Sequence, residues 1–512
     1  MLRGILTVGG WTMASRLLGF LRDILIAALL GAGPVADAFV MANRLPNLFR
    51  RLFGEGAFNA AFVPAFAGLL EAEGPVAAQG FAEEATAVLA FWLVGLTAVA
   101  EVFMPEVMAA FAPGFRDDPD KFALVVALAR ITFPYMPLIC LTALLSGVLN
   151  GLDRFAAAAA APLIYNVTSI GFMLGLLHHV PTAGHALAWG VSVSGVFQLG
   201  LLFWAVRRAG MRLHLPRPRM TPRMKALLRR MGPGLLGAGV TQLSLAVDGI
   251  ISTLLPAGTA SILYYADRLN QLPLGTIGVA VSTALLPTLS RQALSGQAAA
   301  AVATLNRAID YALSLTLPAA LALVVVPGPI VLVLFGRGSF SAGDVALTAQ
   351  ALAAYAIGLP AFVLVRVMVP GFFARGDTAM PVKIGFFTIG LNLALNFAFM
   401  RPLQHLGPPL ASAIAAWVNV AMLGIILSRR GHFVPDRVLL RRVGLMLVAG
   451  LAMVGALYGL QGVVFAPLAA MPGLRWLGLG LLVSGGAFVY GLCGQVLGAF
   501  DLLAMARRRR IP

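Results

Sequence analysis

The chain alternates apolar stretches of about 20 residues or more with short connectors rich in Arg, Gly and Pro. A helix of that length crosses the hydrocarbon of a bilayer, so the pattern predicts membrane-spanning helices rather than the core of a soluble domain. Loop signals and Pro/Gly breaks place fourteen of them, at 4–30, 34–69, 84–112, 122–150, 157–178, 184–206, 229–254, 259–290, 302–326, 344–373, 381–400, 408–428, 441–463 and 473–503. Arg16 interrupts the first apolar run and no small-residue cleavage site follows it, so this segment reads as a retained helix.

Composition agrees: 60% of the 512 residues are hydrophobic, 11% are charged, and mean hydropathy is +0.90. These values lie outside the soluble globular range. Cys140 and Cys493 sit in apolar stretches without metal-ligand spacing and read as packing residues. The net charge of +17 resides mainly in connectors, which argues for topology-setting arginines over a nucleic-acid surface. With these spans, 24 Lys/Arg fall on the side of both termini and five, Arg116, Lys121, Arg337, Arg401 and Arg475, on the other. Both termini are therefore expected in the cytoplasm. One connector dissents: Glu71, Glu73, Glu83 and Glu84 fall on the cytoplasmic side with no basic residue near them in sequence.

The chain also repeats itself. "ANRLPNL" (Ala42–Leu48) matches "ADRLNQL" (Ala266–Leu272), "LGAG" at Leu30 matches "LPAG" at Leu255, and "FVPAF" at Phe62 matches "LLPTL" at Leu285. "GVLNGLDRF" and "GFFARGDTA" set Asp153 against Asp377. Ordered matches at a nearly constant offset predict two six-helix bundles of the same orientation, a transporter architecture. The expected division is 1–206, a basic linker 207–228, 229–430, and 431–512 with two additional helices and a basic tail.

The remaining eight basic residues, Arg16, Arg22, Arg44, Arg50, Arg51, Arg130, Arg268 and Arg366, lie within predicted helices or near their ends. Facing lipid at mid-membrane they would cost roughly 20–28 kcal/mol together, so they must face protein or a polar cavity. Arg44, Asn47, Arg51 and Glu55 share one helical stripe, and Arg268 with Gln271 repeats its first part. Local neutralisation accounts for some of this charge: Arg22 by Asp23 or Asp37, Arg51 by Glu55, Arg268 by Asp267. Arg50, Arg130 and Arg366 can snorkel or cap. The first bundle still has more intramembrane arginines than acids, which suits a multiply charged anion such as a lipid-linked phosphate. Asp248, alone in its apolar helix, is a candidate for Na⁺ or H⁺ coupling, with Thr388 and Asn392 as candidate neighbours; a hydrogen-bonded structural acid is the competing reading.

Several longer stretches, "SRLLGFLRDILIAALLGAGPVADAF", "LPNLFRRLFGEGAFNAAFVP", "PGFRDDPDKFAL", "ITFPY", "YYADRLNQLPLG" and "PVKI", resemble the MurJ/MviN family of lipid II flippases in the MOP exporter superfamily. The resemblance implies an all-α integral membrane fold of MOP/MATE type, with fourteen helices, two pseudo-symmetric bundles, a cationic central cavity and a lipid-tail groove from the last two helices. It implies transport of lipid II, the undecaprenyl-diphosphate-linked disaccharide-pentapeptide, from the cytoplasmic to the periplasmic leaflet of the bacterial inner membrane for cell wall synthesis. The family's substrate-binding positions map to Arg16, Arg22, Asp37, Arg51 and Arg268; Asp23, Arg44, Asn47, Glu55, Asp267 and Gln271 are secondary candidates. Membrane lipids are the other expected partners, with no nucleic acid, a monomeric state, no metal and no cofactor beyond a coupling ion and the membrane potential. No Walker motif is present. Two rivals remain: a related exporter of another polyprenyl-linked oligosaccharide or of drugs, and a membrane enzyme acting on polyprenyl phosphates. The only acidic cluster for the latter, Asp117, Asp118 and Asp120, reads as a solvated loop beside Arg116 and Lys121.

Overall fold

A computed structural model describes residues 2–51 and 57–500, and every regular element among them is helical. Contacts divide the chain into two compact units, Met1–Ser261 and Ile262–Pro512.

The first unit holds α1 (Leu2–Leu30), α2 (Pro34–Phe49), α3 (Ala57–Glu73), α4 (Pro75–Val102), α5 (Met104–Phe111), α6 (Pro119–Thr132), α7 (Tyr135–Gly151), α8 (Ala156–Gly175), α9 (Ala183–Arg208) and α10 (Pro222–Thr253). Its core is a ladder of phenylalanines spaced by four on α3, Phe58, Phe62 and Phe66, with ring centroids 5.2 and 5.8 Å apart; Phe81 of α4 stacks on Phe62 at 5.5 Å. Gly151 lets α7 close on this ladder, since a Cβ there would lie 2.5 Å from the Phe66 ring. Although its sequence opens the second repeat, α10 packs against α2, α3, α4 and α5 in the first unit.

The second unit begins within α11 (Thr259–Pro273) and continues through α12 (Val279–Leu294), α13 (Ala298–Val325), α14 (Pro327–Phe335), α15 (Ala342–Phe373), α16 (Ala379–Phe399), α17 (Gly407–Arg429), α18 (Arg437–Leu460), α19 (Ala466–Ala469) and α20 (Arg475–Leu497). Tyr265, Phe335 and Phe340 form an aromatic cluster, and a Ser341–Asp344 capping box starts α15 beside it. The additional helices α18 and α20 pack on each other through Gly485 and Gly486, which receive Leu460 and Leu457. An ion pair from Arg442 to Asp310 at 2.6 Å joins α18 to α13.

Ten of these helical segments are long and apolar enough to cross a membrane, and they leave large side chains such as Trp92, Phe91 and Phe488 accessible on their outer faces. The chain is a multi-pass membrane protein. The structure refines several expected spans. Within 34–69 the described residues are α-helical from Pro34 to Phe49 and from Ala57 onward, and Arg50 and Arg51 take a π turn. The stretch 122–150 breaks before Tyr135, where Pro134 removes an N–H. The expected 84–112 helix starts at Pro75, so Glu83 and Glu84 belong to α4 rather than to a connector.

Three of the four dissenting acids, Glu73, Glu83 and Glu84, are answered by the linker, which reaches them from far along the chain. Arg223 pairs with Glu73 at 2.9 Å, His214 donates its backbone N–H to Glu83 at 3.0 Å, and Thr221 donates to Glu84 at 2.9 Å. The linker's final residues are already helical, since Thr221 caps α10 by accepting from the Met224 N–H.

The two repeats also align differently at one turn. After α7, the Leu149 carbonyl accepts from the Leu152 and Arg154 N–H groups and Asp153 has φ +58°. After α15, the Phe372 carbonyl accepts from Arg375 and Asp377 and Gly376 has φ +76°. Arg154, and not Asp153, therefore occupies the place of Asp377.

Candidate functional site

In the first unit, the α1 arginines have different surroundings. Arg22 is 9% accessible; its Nη2 and Nε donate to Asp23 Oδ1 at 2.8 and 3.3 Å, and its Nη1 donates to Asn166 Oδ1 at 3.1 Å. The guanidinium also lies 5.0 Å from the Tyr165 ring centroid. Asn166 donates back to the Ser15 carbonyl at 2.9 Å, so α1 and α8 are tied through one neutralised network. Of the two acids open to Arg22 in sequence, the structure gives it Asp23. Arg16, nearly two turns earlier on α1, is accessible and lines a groove of about 390 Å³ with Thr12, Ser15, Asn150, Phe155 and Pro162.

Asp37 is 1% accessible and surrounded by donors. Its Oδ2 accepts from Lys121 Nζ and the Gly258 N–H, both at 2.7 Å; its Oδ1 accepts from the Ser261 N–H and hydroxyl, both at 2.8 Å. Four donors use the acceptor capacity of a carboxylate, which gives Asp37 the role of an anchor for α2, α6 and the turn before α11 in this conformation. Lys121 corrects the sequence reading: it is 7% accessible, salt-bridged, and held 4.0 Å over the Phe115 ring. Nothing in the spacing of Lys121, Ser261 or Asn166 signals these partnerships, which join residues 84, 224 and 144 positions apart.

On α2, Arg44 Nη1 donates to the Leu245 carbonyl at 3.3 Å and lies flat against α10; a Cβ on Gly249 would sit 1.9 Å from it. Asn47 donates to the Asn43 carbonyl and accepts from Arg50 Nε at 3.2 Å. Arg51 lies in the π turn, which ends the regular helical stripe, and Glu55 falls outside the described residues. Half-buried Asp248 belongs to the first unit.

In the second unit, Arg268 lies 4.8 Å over the Tyr264 ring of its own helix, and Gln271 donates to Asp267. Arg44 and Arg268, equivalent in sequence, thus rest on different supports, a neighbouring backbone and an aromatic face. Thr388 and Asn392 belong to a buried polar ladder: Asn392 donates to Ser412 at 3.1 Å, Asn396 donates to Asn392 at 3.0 Å, and Asn419 donates to Thr388 at 3.4 Å.

The family model described as "Lipid II flippase MurJ" matches residues 26–472. The chain belongs to the lipid II flippase MurJ family. A relative from Rhizobium meliloti (strain 1021), called a probable lipid II flippase MurJ, is 42% identical over 98% of this chain and 95% of its own length. A lipid II flippase MurJ from Burkholderia cenocepacia is 36% identical over 89% of each. Among solved structures, a lipid II flippase MurJ in an inward closed conformation shares the fold, with a TM-score of 0.79, 22% identity and coverage of 96% of this chain and 98% of that one. An inward-facing multidrug resistance MATE transporter of the MOP superfamily reaches a TM-score of 0.67 at 15% identity, covering 83% and 98%. The MurJ family thus shares its helical architecture with MOP exporters.

Proposed function

We propose that this chain moves lipid II from the cytoplasmic to the periplasmic leaflet of the bacterial inner membrane by alternating access, without enzymatic turnover. The observation that carries this reading is the near full-length kinship with proteins named for that activity. The four expected spans outside the ten apolar segments, α1, α2–α3, α10 and α11–α12, carry intramembrane charge, and in this reading they complete fourteen crossings with both termini cytoplasmic. Arg16, Arg51 and Arg268 supply positive charge to the diphosphate, whose oxygens match guanidinium forks. Arg22, engaged with Asp23 and Asn166, positions the helix that presents Arg16. The polyprenyl tail follows a groove formed by α18 and α20. Asp248, with Thr388 and Asn392, remains the candidate for coupling to Na⁺ or H⁺.

The test is transport of fluorescent lipid II in proteoliposomes, with a short-chain analogue and an O-antigen lipid as competitors. Arg268→Ala and Arg16→Ala should each lower flux about tenfold or more, as expected for losing a charge-assisted pair, with folding retained. Undiminished flux in folded variants, or preference for the O-antigen lipid, would refute the reading.

A further inference from the structure

A second groove in the first unit, about 410 Å³, lies where α7 ends, α8 begins and α9 ends. Its wall carries Asp153, Arg154 and Arg208, with Phe155, Trp204 and Leu149 as its apolar part. All three helices belong to membrane-crossing segments, so this groove stands at the bilayer–water boundary. Trp204 and Phe155, 55% and 40% accessible, have the exposure of interfacial anchors. Arg208 is fixed over the Trp204 ring at 5.3 Å.

The corresponding turn of the second repeat shows what is missing. There Asp377 accepts from the Met380 N–H at 3.0 Å and pairs with Arg430, from the end of α17, at 2.6 Å. In the first repeat the residue at that place is Arg154, and α8 has no side-chain cap. Among the described residues neither Arg154 nor Arg208 has a carboxylate partner, although Asp153 shares the wall. One copy closes this corner with an acid–base pair, whereas the other leaves two cations and a separate carboxylate around an open groove.

We propose that this groove binds the headgroup of a phosphoethanolamine lipid. The arginines take the phosphodiester in charge-assisted hydrogen bonds, Asp153 takes the primary ammonium, and Trp204, Phe155 and Leu149 border the start of the acyl chains. The wall's two positive charges and one negative charge match a zwitterion better than phosphatidylglycerol, which has no ammonium for Asp153. This groove shares Phe155 with the Arg16 groove but carries its own charged residues, so, on the reading of Arg16 as a substrate contact, it is a place for a resident lipid rather than for the transported one.

Native mass spectrometry of the full-length chain in detergent tests this, with phosphatidylethanolamine, phosphatidylcholine and phosphatidylglycerol of matched acyl chains. Phosphatidylethanolamine should be retained in preference to the other two. Combined Arg154→Ala and Arg208→Ala should weaken its retention about thirty-fold, the attraction two basic residues lend at a membrane surface. Asp153→Asn, which tolerates the positive φ, should abolish the preference over phosphatidylglycerol while leaving phospholipid binding in place. It is the informative variant should the double change unfold the protein. Equal retention of the three lipids by the unaltered chain, or unchanged retention in a folded double variant, would overturn the proposal. Full displacement by inorganic phosphate would overturn the assignment to a lipid.

Discussion

Lys121 shows how far a residue's role depends on what the fold brings to it. In sequence it sits among Asp117, Asp118 and Asp120 and reads as one more solvated loop charge; in the fold its ammonium is the counter-ion of buried Asp37. Removing one partner of a buried pair strands the other, at a cost of about 3–5 kcal/mol. Lys121→Met should therefore lower the melting temperature of the purified protein sharply, and adding Asp37→Asn should restore part of it. A Lys121→Met protein as stable as the parent would show that the other three donors suffice to hold Asp37. The intramembrane arginines were legible as a class because their desolvation cost demands partners, and Asp23 was one of the two acids open to Arg22, but the neutral partners were not legible. Arg22 required Asn166, an ordinary polar residue in an apolar run, and the stripe that starts at Arg44 assumed α-helical spacing as far as Arg51, which lies in a π turn.

At the scale of elements, apolar run length located ten helical segments long and apolar enough to cross a membrane, while their breaks depended on local chemistry that run length does not register. Close approach between elements rests on single glycines. Gly114 lies so near the end of α10 that a Cβ would come within 2.0 Å of the Thr253 carbonyl oxygen and 2.8 Å of Leu254 Cα. Backbone on both sides cannot yield as a side chain could, so Gly114→Ala should destabilise by about 1–3 kcal/mol, measurable by thermal unfolding in detergent. The α15–α16 turn is tied to the end of α17 by Asp377 and Arg430. The hydrogen bond from Arg430 is the main cause holding the Asp377 carboxyl below its ordinary range, helped by the Met380 N–H. A carboxyl whose folded pKa is depressed stabilises fully above its unfolded value, near 3.9, and loses that contribution as pH falls through the folded value. The melting-temperature gap between the parent and Asp377→Asn should be constant from neutral pH to about pH 5 and close below that. A gap that persists at lower pH would assign the effect to packing.

For the whole molecule, the helical membrane fold was readable from the apolar pattern, and the family from longer stretches such as "SRLLGFLRDILIAALLGAGPVADAF". What motif matching missed is where the copies diverge: a one-residue shift put Arg154 in the place of Asp377, and α10 packs with the unit that precedes it. If the proposed export carries two negative charges across the full field, an inside-negative potential favours it by about 4.6 kcal/mol per 100 mV. Flux in proteoliposomes should then rise when a valinomycin-set potential is made inside-negative and fall when it is reversed; indifference to both would mean that compensating cations travel with the substrate. The clasp between the acidic corner and the basic linker has a consequence for biogenesis. Glu73 and Arg223 are 150 residues apart, so a ribosome adding about 5–20 residues per second exposes the corner for roughly 8–30 seconds before its partner emerges. During that interval the first helices enter the bilayer with the acids unanswered, and their orientation must be set by the arginines already made.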